Sequence, residues 1–555
     1  MKKAIVLLAV LAFALSLAAC GSGNSGNSAP APSAPVTAPE VHMPATPDTT
    51  APTGETAIPE VDTGKYGGTV RLIDTGDFNI PIGLPWQAIV ARNYNCVWAE
   101  SLHNMKNGGR YEPWLAESWD IDMDKQTITF HLKKGVWFSD GSPFNAEVLK
   151  WSFKAWEEDG RGNEDMFYED VKILDEYTVE VTYRNWQNVL IEHFGSKSYA
   201  MVSMENYLKN GKEYAQEHPV GSGPYKLKEY NRGSSLIWER RDDYWLEGLP
   251  FLDTVEYHCI TDVLVQSAAL MSTGPDAIDF FQSGNPEQVM GLMEAQVDFD
   301  YSVMNSTGSF VLCPNSMDAE NNPFYDIRVR TAVSHAIDRQ QICDAKGFGI
   351  WRPSRQMTGE GFAGYLGEDH PYLEQASYDP DLAKRMLADA GYPNGFNTKI
   401  TADPRYQDQV IIIQDMLKQV GINAEVEFPE SGRLSELQLN GWEGMYAFNW
   451  GQVSNTGVSY YIWYHPDVTS YVSAYRPPEY EEMYLASRRS EKIDFDLFAN
   501  LGEMVLKYQT FIPVYSTYSV YFLRNGLKDD GFLDFRNGFW YPWAAYWEDP
   551  VRRGN

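Results

Sequence analysis

The sequence has few of the residues from which metal and nucleotide sites are built. Its 555 residues include only nine histidines and five cysteines, and no spacing among them resembles a zinc site. The body of the chain has no phosphate-binding loop, no zinc-binding histidine pair on a helix and no nucleophile-elbow serine. We therefore predict no metal, no cofactor and no catalytic residue.

Basic residues are also scarce. Lysine and arginine number 45 against 76 acidic residues, which gives a formal net charge of −31. Such an excess of acid argues against nucleic acid as a partner and against electrostatic attachment to anionic lipid. The length is enough for about two to four domains, and a hydrophobic content of 43% is typical of a soluble globular protein.

Only one apolar run is long, and it is too short to span a membrane. The run 4–17 follows two lysines, an arrangement typical of a secretory signal. Leu17-Ala18-Ala19-Cys20 then resembles the lipobox of bacterial lipoproteins. We predict that residues 1–20 are a lipoprotein signal peptide and that Cys20 is the lipidated first residue of the mature chain. The alternative is an ordinary secretory signal in which this cysteine stands by chance.

The next segment, 21–64, is rich in small and polar residues and proline and nearly lacks large apolar side chains. It cannot bury enough surface to offset its ordering entropy, so we expect a disordered tether. Four cysteines lie beyond it, and an exported location permits disulfides. Three full pairings are possible, and free thiols are an equal alternative, for Cys96, Cys259, Cys313 and Cys343.

Alternating residues predict a β-hairpin early in the body of the chain. Residues 119–123 and 127–132 have the two-residue period of half-buried strands, and Asp124-Lys125-Gln126 between them has turn chemistry. Asn145 is then the predicted N-cap of a helix. Two further strands are predicted at 171–174 and 178–182, and a helix at 96–105.

Helical signals are stronger beyond residue 322. Asp326 precedes one predicted helix, and Asp379 is the predicted N-cap of another, which Gly391 ends. Residues 397–428 have the pattern strand, helix, strand, which requires a parallel crossover. We therefore predict a mixed α/β fold with a strand-rich first half and a domain boundary near 305–325.

The residues of the hairpin also carry a resemblance. Glu112-Pro113-Trp114-Leu115-Ala116-Glu117-Ser118-Trp119, followed by the run 127–144, resembles the signature of the family-5 bacterial extracellular solute-binding proteins, the dipeptide-, oligopeptide- and nickel-binding type. Four further motifs match in the order of that family, and they lie at 67–71, 220–225, 326–339 and 378–396. The resemblance spans about residues 65 to 530.

This resemblance implies a periplasmic-binding-protein-like two-lobe fold of type II, class C, in which the ligand is buried in a cleft between hinged lobes. The base lobe (domain I) would comprise 65–90, 186–305 and 506–555. The extra domain (domain II) would comprise 91–185, and the second lobe (domain III) 306–505. Members of the family close around the ligand and deliver it to an ABC permease.

The ligand contacts of the family transfer less directly. Its peptide binders hold the α-ammonium with an aspartate just after a tryptophan that resembles Trp450, whereas here no acid appears until Asp467. An enclosed ammonium without a counter-charge is costly. This departure argues against a conventional peptide and favours a neutral polar solute such as a sugar. The candidate contacts are Asn449, Trp450, Gln452, Ser454 and Asn455.

Two of these assignments have a simpler structural alternative. Trp450 is equally well explained as a core tryptophan. Arg352 and Arg355 lie where the family often passes the cleft, and they are candidates for holding an anionic group or are plain surface residues.

We therefore expect a lipid-anchored, monomeric receptor of an ABC importer on the extracytoplasmic side, in the periplasmic space or on the outer face of the cell membrane. Its expected partners are a solute of the oligopeptide or oligosaccharide class and the permease subunits, with membrane contact through the lipid alone. Two other functions stay open, which are an exported lipoprotein hydrolase and a sensory receptor on the same fold.

Overall fold

The computed structural model describes residues 63–75, 78, 81–87, 93–106, 110–159, 168–274, 277–317, 321–360, 362–451, 471–491, 494–529, 540–549 and 551–552. The predicted signal peptide with Cys20 and nearly all of the predicted tether lie outside these residues.

The strands within these ranges are β1 Thr69–Asp74, β2 His103–Lys106, β3 Arg110–Pro113, β4 Ala116–Asp122, β5 Thr127–Leu132, β6 Tyr168–Asp175, β7 Thr178–Tyr183, β8 Tyr225–Asn231, β9 Ser235–Arg240, β10 Thr254–Cys259, β11 Phe280–Ser283, β12 Phe299–Pro314, β13 Arg352–Pro353, β14 Phe396–Ala402, β15 Ile422–Glu427, β16 Met445–Gly451, β17 Ile512–Arg524, β18 Leu527–Asp529 and β19 Ala545–Trp547.

The α-helices in the same ranges are α1 Asn95–Trp98, α2 Ala146–Glu158, α3 Val189–His193, α4 Met204–Asn210, α5 Lys212–Glu217, α6 Val263–Met271, α7 Pro286–Glu294, α8 Ile327–Ala336, α9 Arg339–Ile342, α10 Pro380–Asp389, α11 Gln407–Gln419, α12 Ser431–Asn440, α13 Pro478–Arg489 and α14 Phe495–Tyr508. Short 3₁₀ turns lie at Thr63–Lys65, Pro85–Gln87, Lys197–Tyr199, Pro323–Tyr325, Pro371–Ala376, Pro404–Tyr406 and Pro542–Ala544, and a π-helical turn at Cys343–Gly347.

One long mixed sheet organises the described part of the chain. Its strand order is β15-β14-β16-β12-β17-β11-β1-β10-β9-β8, with β13 added beside β17. At one end β14 runs parallel to β15 and β16, and towards the other end β1 runs parallel to β10 and β11. The mixed α/β class is therefore confirmed.

The predicted hairpin is confirmed as β4 and β5, which pair antiparallel and join β7 and β6 in a separate four-stranded sheet. The predicted cap of α2 is confirmed too, because the Asn145 side chain accepts hydrogen bonds from two backbone N–H groups of the first turn. The side chains of Asp326 and Asp379 cap α8 and α10, and each accepts one hydrogen bond from a backbone N–H group of the first turn.

The predicted helix at 96–105 is wrong. Only one helical turn forms, α1, because Ala99 is already extended. The Trp98 carbonyl accepts a hydrogen bond from the Gly223 amide at 2.9 Å. The chain after it is extended instead, since Glu100 bridges the distant Met201 and β2 pairs with the nearby β3. Tertiary pairing therefore overrides the local helical signal.

The hydrophobic core consists of separate clusters. The largest is shared by the long sheet and the small one, since Leu72 of β1 and Trp238 of β9 belong to the same cluster as Phe130 of β5. Two other clusters lie around β14 and β16, and they include residues of β12 and the first part of β17. Packing thus joins the region of β4–β7 to the region of β1 and β8–β10.

Two long strands, β12 and β17, connect the part of the sheet around β14 and β16 to the part around β1 and β8–β10. The second half of β12 pairs with β16 and with the start of β17, whereas its first half pairs with the end of β17. The register between β12 and β17 shifts between Val303 and Ser306 and again between Ser306 and Gly308. The irregular pairing lies where the two strands pass from one set of neighbours to the other.

All four cysteines of the described body are free thiols. Cys96, Cys313 and Cys343 are buried, and Cys259 is partly exposed. The alternative of disulfide bridges is therefore not realised in this structure.

Candidate ligand-binding site

The middle of β17 is the meeting point of the candidate site residues. The Thr517 hydroxyl donates a hydrogen bond to the Gly308 carbonyl at 3.1 Å, and the Ser309 hydroxyl donates to the Met357 carbonyl at 3.1 Å. Ser309 and Ser516 lie opposite each other, with their hydroxyl oxygens 3.4 Å apart. We call β12 and β17 the crossing strands, because both pass from one part of the sheet to the other. Where they pair, they carry a row of small polar residues.

Trp450 and Asn449 lie on β16 beside this row. Trp450 is only 2% exposed, and the centre of its ring lies 5.7 Å from the centre of the Phe511 ring. Asn449 is partly exposed, and its Oδ1 atom is buried without a hydrogen-bond partner among the described residues. A Cβ atom at Gly308 would overlap the Trp450 carbonyl and crowd the Asn449 amide, so glycine there permits the close approach.

The two arginines have different surroundings. Arg352 lies on β13, which pairs with β17 opposite Ser516, and its guanidinium is 5.0 Å from the centre of the Tyr518 ring. Arg355 donates to the Glu368 backbone carbonyl at 2.9 Å and pairs with its carboxylate at 3.3 Å. Arg355 is therefore held by its own loop, whereas Arg352 lies against the crossing strand.

The pKa of the Tyr518 hydroxyl depends on its burial and on the charged side chains near it. Burial raises its pKa, nearby Glu360 and Glu368 raise it further, and Arg352 opposes them. Its hydroxyl therefore remains neutral at physiological pH and is able to donate a hydrogen bond.

A cavity of about 250 Å³ lies beyond β17, among residues of β11 and β1. It opens at the carboxyl ends of the parallel strands β1 and β10, and at β11, an edge at which α/β proteins commonly bind ligands. Asp74, the last residue of β1, is 7% exposed and lines it. Other lining residues are Thr75, Asn93, Gln282, Gly284 and Trp540.

The cavity borders β17, because its lining residues Phe280, Phe281 and Gln282 of β11 pair with that strand. A Cβ atom at Gly284 would lie 3.5 Å from the Ser519 hydroxyl, the residue next to Tyr518. The structure thus places Asp74, Arg352 and Asn449 around one pair of strands. Gln452, Ser454 and Asn455 lie outside the described residues.

Asp74 and Tyr518 were missed by sequence reasoning. Asp74 ends a strand that pairs with β10, about 185 residues later, and no local pattern reveals that pairing. A polar residue at the end of a buried strand was the only available signal.

In the described ranges, no group of three or more histidine, cysteine, aspartate or glutamate side chains is able to hold a metal ion. Among the helices of those ranges, none combines the length and the apolar character that crossing a bilayer requires.

Comparison with known proteins identifies the family. The family described as "Bacterial extracellular solute-binding proteins, family 5 Middle" matches residues 110–470. The chain belongs to this family. The resemblance seen in the sequence motifs is thereby confirmed.

Individual relatives are more distant. The glutathione-binding protein GsiB of Salmonella choleraesuis (strain SC-B67) is 28% identical over 401 residues, covering 70% of this chain and 74% of GsiB. GsiB of Escherichia coli O157:H7 is 29% identical over 353 residues, covering 62% and 66%.

Solved structures share the fold. The periplasmic binding protein DppA from Helicobacter pylori, in complex with the peptide STSA, aligns with a TM-score of 0.68 and 22% identity, covering 88% of this chain and 99% of DppA. HbpA2 from Haemophilus parasuis aligns with a TM-score of 0.73 and 19% identity, covering 87% and 100%. The family-5 protein is therefore a solute-binding protein of an ABC importer with the two-lobe fold, and not an enzyme.

Proposed function

We propose that this protein is the lipid-anchored receptor of an ABC importer and that it captures a short peptide between two hinged lobes. One observation carries the ligand class: a buried carboxylate, Asp74 at the end of β1, and a basic side chain, Arg352 on β13, both lie on the side of β17 that faces away from β12. A peptide has an ammonium and a carboxylate, and each needs a counter-charge when it is enclosed.

Asp74 also answers the sequence argument against peptides. That argument depends on the absence of an acid after Trp450 until Asp467, within one lobe. In our proposal the acid comes from the opposite lobe. The names of the relatives agree with a peptide ligand, since GsiB is called glutathione-binding and the DppA structure holds a peptide.

We take the lobes from the family resemblance and use the core clusters to place the second crossing between them. The base lobe comprises 65–90, 186–305 and the end of the chain, the extra domain 91–185, and the second lobe the residues from 306 onwards. Because Ile512 and Val514 pack in a second-lobe cluster and Val520 in a base-lobe cluster, we place the return crossing inside β17, beyond residue 505. The hinge then coincides with the shifted register of β12.

A neutral oligosaccharide is the second candidate ligand. It is favoured by the Asn449 amide, whose buried Oδ1 atom has no hydrogen-bond partner among the described residues. A sugar hydroxyl would satisfy that atom. Trp450 offers little to a sugar, because an aromatic face that is 2% exposed is not available for stacking.

A thermal-shift screen over di- to pentapeptides, oligosaccharides and metal chelates tests the ligand class, since a tight ligand raises the melting temperature by mass action. We expect peptides to raise it. A shift with oligosaccharides alone would replace the first candidate by the second.

Arg352→Gln tests the role of the arginine. Loss of one charge-assisted contact of about 1.5–3 kcal/mol should weaken peptide binding by roughly 10- to 100-fold. Arg405→Gln is the matched control, because Arg405 is exposed and pairs with Asp403. Equal affinity of the two variants would remove Arg352 from the site.

Cys20→Ala tests the anchor. We expect the variant to be folded and released from membranes into the soluble fraction, whereas wild type sediments with them. Continued sedimentation of the variant would contradict the lipid anchor.

A further inference from the structure

A short segment after β7 touches the end of α13. In this segment, Trp186, Gln187 and Asn188, the chain returns from the extra domain to the base lobe. The backbone N–H of Asn188 donates to the Arg488 carbonyl at 2.8 Å. The Asn188 side-chain amide donates to the Ser487 carbonyl at 2.7 Å.

Further hydrogen bonds join this segment to the end of α13. The Asn188 amide also reaches the Ser490 hydroxyl at 3.0 Å, and the Trp186 indole N–H donates to the Ser490 carbonyl at 3.1 Å. Arg488 Nε donates to the Gln187 side-chain oxygen at 3.0 Å. Carbonyls at a helix C-terminus lack partners within the helix, so this segment supplies donors where α13 needs them.

Hydrogen bonds and packing attach the segment Trp186–Asn188 to the β4–β5 hairpin and to the large core cluster. The side-chain oxygen of Gln126, at the tip of the β4–β5 hairpin, accepts from the Trp186 amide at 3.0 Å. The Gln126 carbonyl accepts from the Tyr183 amide at 2.9 Å. Trp186 also belongs to the large cluster that the base lobe shares with the extra domain.

Helix α13 packs in a different hydrophobic cluster from the segment Trp186–Asn188. Tyr484 of α13 packs with Trp450 and Phe498, apart from Trp186. The boundary between the two sides is polar, and beside it lies a groove of about 490 Å³ lined by residues of both, including Asn185 and Arg489. Polar, incompletely packed boundaries within one chain are the ones that separate most readily.

We propose that the contact between Trp186–Asn188 and Ser487–Ser490 is a latch that holds the second lobe closed against the base lobe and extra domain. Because the base lobe and extra domain share one core, they move as a unit, and any opening of the cleft must break these bonds. The hairpin tip thereby acquires a role, since it braces the fixed half of the latch. The latch builds on the proposed hinge motion, but it is testable without any ligand.

Hydrogen exchange of the residue-188 amide in the full-length, ligand-free protein is the test, read by mass spectrometry with electron-transfer fragmentation. This amide donates across the boundary, so it exchanges only when the latch opens. Asn188→Ala removes two side-chain hydrogen bonds and keeps the amide, and we expect its protection to fall about tenfold. Asn185→Ala is the matched control, because Asn185 is an exposed asparagine of the same connection.

A second amide separates latch opening from local unfolding. The Leu190 amide donates to the Gln187 carbonyl within the segment at 3.0 Å, so it should keep its protection in both variants. If Asn188→Ala fails to fold, Trp186→Phe removes the indole donor and keeps an aromatic ring. Unchanged protection at residue 188, or equal losses at 188 and 190, would overturn the latch.

Discussion

Glu100 holds the segment before β4 against the segment after β9, and its replacement should be among the most damaging single changes in the described part of the chain. Its side chain is fully buried and accepts hydrogen bonds from Trp114 Nε1 at 2.8 Å, the Tyr244 hydroxyl at 2.8 Å and Trp245 Nε1 at 3.0 Å. Burial raises the pKa of this carboxyl, and the donors oppose that shift.

The magnitude follows from the donors. Trp114 and Tyr244 share one carboxylate oxygen, and Trp245 uses the other. Glu100→Gln replaces one oxygen by an NH₂ group and so turns one buried N–H towards another donor, at a cost of about 2–3 kcal/mol. Glu100→Ala leaves three buried donors without an acceptor, at about 1–3 kcal/mol each, or roughly 5 kcal/mol in all.

Urea unfolding followed by tryptophan fluorescence measures both changes. Glu117→Gln is the matched control, because Glu117 is an exposed carboxylate on the neighbouring β4, and its effect should stay within about 0.5 kcal/mol. If Glu100→Gln unfolds at the same urea concentration as Glu117→Gln, the carboxylate does not join Trp114 to Tyr244 and Trp245 in the way described.

Two other perturbations probe buried titratable groups. Burial lowers the pKa of His103 to about 4, so this histidine is neutral in the folded protein and becomes protonated on unfolding below pH 6.5. Because the unfolded chain then binds more protons, we expect this histidine to lower the free energy of unfolding by about 2 kcal/mol between pH 7 and pH 5. The loss should be smaller in His103→Gln, and equal losses in wild type and variant would contradict this. A thiol reagent should modify Cys259 first, whereas Cys96, whose pKa burial raises to about 11, and buried Cys313 and Cys343 should react only after denaturation. Fewer than four titratable thiols in the body after denaturation without a reductant would count against free cysteines.

Local features of the sequence were good guides to local structure. The hairpin of β4 and β5, the caps at Asn145 and Asp379 and the helix after Asp326 depend on interactions within a few residues, and all are confirmed. The helix expected at 96–105 failed because its backbone partners lie about 100 residues away, at Met201 and Gly223.

The candidate site was only partly predictable for the same reason. Arg352 and Asn449 were identified through family motifs, and the structure brings both beside the crossing strands. Asp74 could not be found, because only the pairing of β1 with β10 and β11 carries it to the cavity. The free-energy cost of an enclosed ammonium was judged from one segment, whereas a cleft draws its charges from both lobes.

Titration calorimetry with the peptide that gives the largest thermal shift, followed by mass spectrometry of the recovered ligand, tests the proposed function most directly. We expect one equivalent of peptide to bind saturably and to be recovered chemically intact. Absence of saturable binding by any di- to pentapeptide, or recovery of a cleaved peptide, would contradict a peptide receptor without catalytic activity.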